Sequence, residues 1–464
     1  MKLTNIDTLE YLKGLLAHSS NEEFKKALKE KLKLDANKEK ILDTALNLRN
    51  LQIDKAREII DQIEPDKYSF TYMLLKSIIY DLENNNDEAN KSLVRTIILS
   101  PKKEFRESIL NAFGLKYPEI EKTYNFIENI KTHKLKILHG TMEIANQMHT
   151  YVSGLKKLGA FARSVNYYPV YLKYKNDYII PLEKVNENII NQFINSFDIF
   201  HFHFGTSLNP AMSDLPFLKN IGKTILMHYW GSEVRRKSKA LELNPYAKVK
   251  EEEEKIVKKL IFVSQYINHC VTEFTLPVYV EEYHKHTHFL AQAIDLNKYP
   301  YSPKTPGDKI IIAHAPTDPE YKGTPVIKSV IESLSDKYPI EFVLVQGKPH
   351  AEARKIYMKA DLIIDQLYSE GYGLFTIESM ALGKPVIVSV PDYFVNKYPP
   401  DLPVIRANPD NLQDVLEKTL SEPEKLPQIG AMGRKYVEKY HDIEKVKFDL
   451  LELYYTVMRE EGKI

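Results

Sequence analysis

From Lys134 onward the chain alternates short apolar runs with amphipathic segments, and it does so in two separate series. That alternation restricts it to layered α/β folds built on parallel, doubly wound sheets. The first series reads as strands at Leu135-Lys136-Ile137-Leu138-His139-Gly140, at Asp198–His203, at Thr224–His228 and at Lys259–Ser264, with a helix from Met148 to Leu158 closing at Gly159. The second reads as strands at Lys309–His314, Phe342–Gly347, Ala360–Asp365 and Pro385–Ser389. Between the two lies Tyr299–Gly307, whose Pro300, Pro303 and Pro306 mark a linker. The expected fold class is α/β: two Rossmann-like domains, at 134–298 and 307–464, facing across a cleft. The last helix is expected to pack back on the first domain. In such a pair, ligands gather where the carboxyl ends of the strands face one another.

Residues 1–130 read as helical throughout, an all-α domain preceding the two sheets. Leu9, Leu12, Leu15 and Leu16 fall at helix period, and Gly14 is the only glycine before Gly114. Ala56 and Ala89 head two similar stretches, spaced close to the ~34-residue period of tetratricopeptide helix pairs. A tetratricopeptide-like stack and an unrelated helical bundle both fit. The extension is expected either to dock a protein partner or to cover the first α/β domain.

With 464 residues the chain is long enough for about three folding units. Its 64 Lys and Arg against 63 Asp and Glu leave no global field to attract nucleic acid. The single cysteine, Cys270, excludes an intramolecular disulfide and a multi-cysteine metal site, and reads as a small buried apolar residue. No window approaches the ~18 apolar residues of a spanning helix, and Met1–Asp7 lacks a leader layout. The expected location is the cytoplasm, with at most peripheral contact at the inner face of the membrane. Arg235, Arg236, Lys237 and Lys239 form the basic cluster that such contact would use. The acidic run Glu251–Glu254 follows closely, so a solvated surface is the better reading of that cluster.

The most informative segment runs from Glu370 to Pro385. It places one carboxylate in a glycine-bearing loop, Gly371-Tyr372-Gly373, and a second, Glu378, about one turn into the following helix. Glycine lets backbone approach a ligand closely, and the free N–H groups near Leu374 and Phe375 suit a diphosphate. Glu378 is then placed to accept from a ribose diol and Glu370 from sugar hydroxyls. No Asp-x-Asp, His-Glu-x-x-His or calcium-loop pattern asks for a metal or other cofactor.

This segment resembles glycosyltransferase family 4 (glycosyl transferases group 1), retaining enzymes of the GT-B fold whose signature is two glutamates separated by seven residues. The resemblance covers about 134–464 and includes Met380-Ala381-Leu382-Gly383-Lys384-Pro385. It implies that Glu370 contacts the donor sugar and Glu378 the nucleotide ribose. Met227-His228-Tyr229-Trp230-Gly231-Ser232-Glu233-Val234-Arg235 is similar to a second family stretch, which implies that His228 projects toward the transferred sugar. Trp230 either stacks on a sugar or is buried, and Arg235 is with it a candidate for the donor or acceptor loop. Lys322-Gly323 matches the pair that neutralises the donor diphosphate, while Thr317 stands where the family has arginine. His314 and Lys348 are the candidates to compensate. Gly140 opens the loop that relatives place beside donor and acceptor, with Ala145 and Asn146 where glycines are usual.

The resemblance thus implies metal-independent transfer of a sugar, a hexose, from a nucleotide-diphosphate donor to a glycan, polysaccharide or lipid-linked acceptor. Two alternatives share the scaffold: a nucleotide-sugar epimerase or phosphorylase, and a non-catalytic glycan-binding or scaffold protein.

Overall fold

The computed structural model describes residues 36–49 and 52–464; Leu9, Leu12, Leu15 and Leu16 lie outside them. The described residues form two compact units, one of those up to Ile130 with Tyr454–Ile464, the other Lys131–Leu453.

In the first unit, helices Ala36–Arg49, Ile53–Asp61, Phe70–Leu82, Asn86–Leu99, Lys103–Phe113 and Pro118–Lys131 follow one another through short connections. Ser69 caps Phe70–Leu82 by accepting from the Tyr72 N–H at 3.3 Å, which satisfies one of the donors a helix start leaves open. Ala56 and Ala89 are both fully buried. Ala56 packs with Leu42, Ile60, Tyr72, Leu75 and Ile79. Arg106, also buried, gives Nη2 to Glu128 at 2.7 Å and Nη1 to the Ser100 carbonyl at 3.0 Å, so its charge is compensated. Tyr455 joins this unit, its hydroxyl 2.8 Å from Glu119 Oε2 and its ring edge-on to Phe126.

The second unit carries two wholly parallel sheets. The first has seven strands: β1 (Lys136–Thr141), β2 (Phe161–Asn166), β3 (Tyr178–Ile179), β4 (Ile199–His203), β5 (Thr224–His228), β6 (His269–Thr272) and β7 (His286–Phe289), in the order β3-β2-β1-β4-β5-β6-β7. The second has five: β8 (Ile310–His314), β9 (Ile340–Leu344), β10 (Leu362–Ile364), β11 (Val386–Val388) and β12 (Ile405–Arg406), in the order β12-β11-β10-β8-β9. Every residue of β4, β5, β6, β10 and β11 is buried, as expected of parallel strands covered on both faces. Cys270 lies buried in β6.

One expected strand is a helix. Lys259–Ser264 is the end of helix Glu253–Ser264, which buries Ile256, Leu260 and Val263 on one face and leaves Ile261 exposed. A short apolar run satisfies both periods, and here the polar turn before it continues the helical one. The strands Phe161–Asn166, His269–Thr272 and His286–Phe289 are absent from the sequence reading, because Arg163, Ser164 and alternating histidines interrupt their apolar pattern.

The C-terminal segment lies on the first sheet's helix Gln147–Lys157. A Cβ on Gly154 would come within 2.8 Å of Ile443 Cδ1, and Lys157 pairs with Glu444. Helix Leu426–Tyr440 crosses the end of helix Leu374–Ala381 at glycine. A Cβ on Gly430 would stand 2.0 Å from the Gly383 carbonyl oxygen, whereas one on Gly433 would meet the Met380 side chain at 3.1 Å. Backbone yields less than a side chain. Gly430→Ala is therefore expected to cost ~1–3 kcal/mol and Gly433→Ala less, read as the fall in the urea midpoint of each variant.

Candidate active site

β10 ends at Ile364, and the residues after it organise the site. Lys322 reaches across to Asp365 Oδ1 at 3.0 Å and Gln366 Oε1 at 2.6 Å. Thr376 donates to Asp365 Oδ2 at 2.7 Å, and Gln366 donates to the Gly371 carbonyl. Together these bonds hold the glycine loop against the start of helix Leu374–Ala381. Gly371 has no room for a side chain, since a Cβ would overlap the Tyr398 hydroxyl. Gly373 is the N-cap, where an added Cβ would meet nothing nearer than Gln366 Nε2 at 4.0 Å, and the first helical residues Leu374 and Phe375 are partly exposed. The Tyr372 side chain points the other way, into the core, bonding Tyr436 and His441 at 3.0 Å each.

Glu370 is buried and fully engaged. Arg235 Nε lies 2.6 and 2.7 Å from its two oxygens, Tyr279 donates to Oε1 at 2.7 Å, and Ser369 to Oε2 at 3.1 Å. Burial pushes the carboxyl up, but the Arg235 charge and these hydrogen bonds outweigh it and hold Glu370 below its ordinary range. Arg235 follows β5, so the pair ties the first sheet's loop to the second sheet's loop. This corrects the reading of Arg235 as part of a solvated basic surface: its side chain is only 14% exposed. Arg236 is buried to a similar degree, its side chain 16% exposed and paired with Glu282, whereas Lys239 pairs with the exposed Glu242.

Glu378 accepts on Oε1 from the Tyr299 hydroxyl at 2.7 Å and faces His350 Nε2 at 2.8 Å. Burial opposes a charge on His350, but the bond and charge of Glu378 raise it above the ordinary value. Tyr174 stands edge-on to His350, with ring centroids 6.0 Å apart. Tyr299, His350, Tyr279 and Tyr174 were not legible as site residues. Tyr299 sits in the proline-rich linker, Tyr174 in the loop between β2 and β3, Tyr279 in the short helix Pro277–Val280 and His350 at the start of helix His350–Tyr357, each a lone aromatic or histidine residue in its segment.

His228 closes β5 beneath Trp230, their rings stacked at 4.2 Å. It belongs to a buried group with His139, His201 and His203 on adjacent strands. His139, His201 and His203 offer nitrogens within 4.8 Å of one another, as a metal site would. The hydrogen bonds argue otherwise. Indole nitrogen only donates, and Trp230 Nε1 gives its proton to His203 Nδ1 at 3.2 Å. The His203 proton is thereby placed on Nε2, which donates to His139 Nδ1 at 3.0 Å. A metal at that nitrogen would require the tautomer that clashes with the indole N–H. Burial holds all four imidazoles far on the neutral side. His201 Nε2 lies 3.2 Å from His228 Nδ1, which leaves His228 Nε2 as the buried polar atom of the group without a partner. Glu233 shapes the neighbouring turn by accepting from the Trp230 and Gly231 N–H groups.

After Gly140, at the end of β1, Ala145 and Asn146 adopt φ of 50° and 65°. The backbone thus keeps the left-handed geometry that glycine favours, at a cost borne by non-glycine residues. The start of helix Gln147–Lys157 is taken by Glu143, which accepts from the Met148 and His149 N–H groups at 3.0 and 3.1 Å. Burial nevertheless pushes this carboxyl up to about 8. Gly323, with φ 85°, ends the short helix carrying Lys322 and packs on Leu367. His314 does not supply a cation: it is buried, bonded to the Ile364 carbonyl and Thr324, and lowered by burial to about 4. Thr317 and Lys348 are exposed.

Arg235→Ala would leave Glu370 as an uncompensated buried charge, at an expected cost of ~3–5 kcal/mol. Because the folded-state pKa of Glu370 is depressed, its contribution is present above the ordinary glutamate value of 4.5 and is lost as pH falls through the lower folded value. Urea unfolding across pH should show the gap between wild type and variant widest near neutrality and narrowing under acid.

No curated protein sequence matches the chain. Among solved structures it is similar to sucrose-phosphate synthase of Thermosynechococcus elongatus, at 14% identity and a TM-score of 0.51 over 70% of this chain and all of that one. It is also similar to a glycosyltransferase of Rickettsia africae, at 15% identity and a TM-score of 0.50 over 70% and 99%. At these identities the likeness is one of fold. Residues 304–436 match the family described as glycosyl transferases group 1. The chain thus carries a glycosyl transferases group 1 domain on the second of two parallel-sheet domains arranged as in GT-B glycosyltransferases, preceded by a region that is helical over its described residues.

Proposed function

We propose that the chain is a retaining glycosyltransferase that moves a hexose from a nucleotide-diphosphate donor to a glycan or lipid-linked acceptor without a metal. The observation that carries this is the disposition of Glu370, the open helix start at Gly373-Leu374-Phe375, and Glu378 along one continuous loop and helix, inside the group 1 domain.

In this reading Glu378 takes the ribose diol, exchanging its bonds from Tyr299 and His350 for those of the ligand. The N–H groups of Leu374 and Phe375, with Gly371 and Gly373 allowing close approach, receive the diphosphate, and Lys322 with Gly323 borders it. Fixed donors of this kind stabilise charge as it develops on the leaving diphosphate. Glu370 orients a sugar hydroxyl by exchanging the Ser369 hydrogen bond on Oε2 for one from the ligand, and Arg235 acts as a positioning residue that keeps it ionised. His228 Nε2 and Trp230 meet the sugar from the first sheet. Departing phosphate accepts the acceptor's proton, so no protein nucleophile is needed and configuration is retained. The helical unit is assigned to a protein partner, and the chain to the cytoplasm or the inner membrane face; no helix among the described residues is long and apolar enough to cross a membrane.

A specific observation favours a second reading. Lys322 is already paired with Asp365, and Thr317 adds no charge, as would suit a glycan-binding protein that no longer turns over a donor.

Thermal unfolding with a panel of nucleoside diphosphates separates the two. A rise in Tm with one base, with affinity weakened ~10–100-fold in Glu378→Ala, is the expected result, since hydrogen bonds to a charged group contribute ~1.5–3 kcal/mol. No rise with any base would move the assignment to the glycan-binding reading. An inverted product would sink the retaining mechanism.

A further inference from the structure

A cavity of about 540 Å³ opens beside the first sheet, lined by His149, Asn166 and the segment from Pro169 to Ile179 that joins β2 to β3. Its charge is one-sided. Lys173 and Lys175 both line it, both are exposed, and neither has an ion-pair or side-chain hydrogen-bond partner among the described residues. The one carboxylate in the lining, Asp177, is spent on Lys156 Nζ at 2.5 Å and on the Ser164 N–H at 2.9 Å. The Asn176 side-chain amide is also in the lining and is buried, its nitrogen turned to the Glu143 carboxyl and its oxygen without a hydrogen-bond partner. A buried amide left open in this way costs stability unless something supplies its partners. Pro169, Val170 and Tyr174 give the cavity an apolar wall suited to the face of a sugar ring. Asn176 sets the cavity against Glu143 of the loop after β1, while Tyr174 borders its other side, the ring standing against His350, which bonds Glu378.

We propose that this cavity takes the acceptor, and that the acceptor is an anionic sugar, one bearing a phosphate or a carboxylate. Lys173 and Lys175 would hold the anionic group, and Asn176 would exchange hydrogen bonds with ring hydroxyls as both donor and acceptor. The proposal rests on the transferase reading in calling the occupant an acceptor; the binding itself does not. Two lysines with no internal partner, beside an acid already neutralised, leave the mouth of the cavity with net positive charge, which a neutral glycan would not use.

The test is titration calorimetry on the full chain with three sets of probes: neutral hexoses, the corresponding hexose 6-phosphates, and the corresponding hexuronates. Nucleoside diphosphates are titrated in parallel. The expected result is that a phosphate or a uronate binds at least about tenfold tighter than its neutral parent, the magnitude of one charge-assisted hydrogen bond. The set that binds names the source of the charge. The double variant Lys173→Ala with Lys175→Ala should lose that advantage while keeping its affinity for the nucleoside diphosphate. Equal binding of neutral and anionic sugars, binding of none of them, or an advantage that survives in the double variant would overturn the proposal. A matching loss of nucleoside diphosphate affinity in the variant would also overturn it, since the cavity would then belong to the donor. Lysine-dependent binding of an anionic sugar without any nucleotide binding would instead keep the cavity and remove the transferase reading.

Discussion

The buried pair of Arg235 and Glu370 is the constraint around which the site is arranged. A guanidinium and a carboxylate withdrawn from water are costly apart, and their mutual attraction offsets that cost only when the geometry is good and the remaining lone pairs are satisfied. Here Arg235 Nε sits between both oxygens while Tyr279 and Ser369 complete the shell. The arginine leaves the loop after β5 and the glutamate precedes the glycine loop after β10. The pair therefore sets the spacing of two loops that come from different sheets.

Around it, other polar groups are satisfied within the protein in ways that shape what a ligand would meet. Lys322 is held by Asp365, which in turn receives Thr376 at the helix start. Glu143 fills the start of helix Gln147–Lys157, so that helix end presents a side chain where an anion would otherwise bind. The Trp230, His203 and His139 relay fixes proton positions on three neutral rings and leaves His228 with one open nitrogen. Low dielectric makes each of these bonds stronger and each unpaired group costlier. The open positions therefore carry information: His228 Nε2, the Asn176 amide, and the two cavity lysines.

The two-sheet fold was legible because parallel strands buried on both faces leave continuous apolar runs, and Gly140, Gly159, Gly347 and Pro385 punctuate them. The run at Lys259–Ser264 was misread, since four apolar residues fit a strand and a helix end equally. The segments at Phe161–Asn166 and His269–Thr272 were missed for the converse reason: polar residues that pair across the sheet break the apolar signal. Glu370 and Glu378 stood out through their spacing and their place beside glycine, and His228 and Lys322 through the resemblance of their segments to glycosyltransferase family 4. Tyr299, His350, Tyr279 and Tyr174 carried no such mark, being single residues whose partners lie 28 to 91 positions away or more.

Written in the order of residues alone are the alternation of elements, the separation of the two glutamates by one loop and one helical turn, and the placing of Thr317 before Lys322 and of Ala145 and Asn146 after Gly140. These are local properties, written in period and spacing. Tertiary structure alone decided that Arg235 leaves the surface to meet Glu370, that Asp365 claims Lys322, that Ala145 and Asn146 still take up left-handed backbone, and that two lysines of one loop face a cavity without partners. Each of these depends on which distant segment arrives alongside, and in a close-packed interior that is settled by how the sheets and helices fit together rather than by any residue's neighbours in the chain.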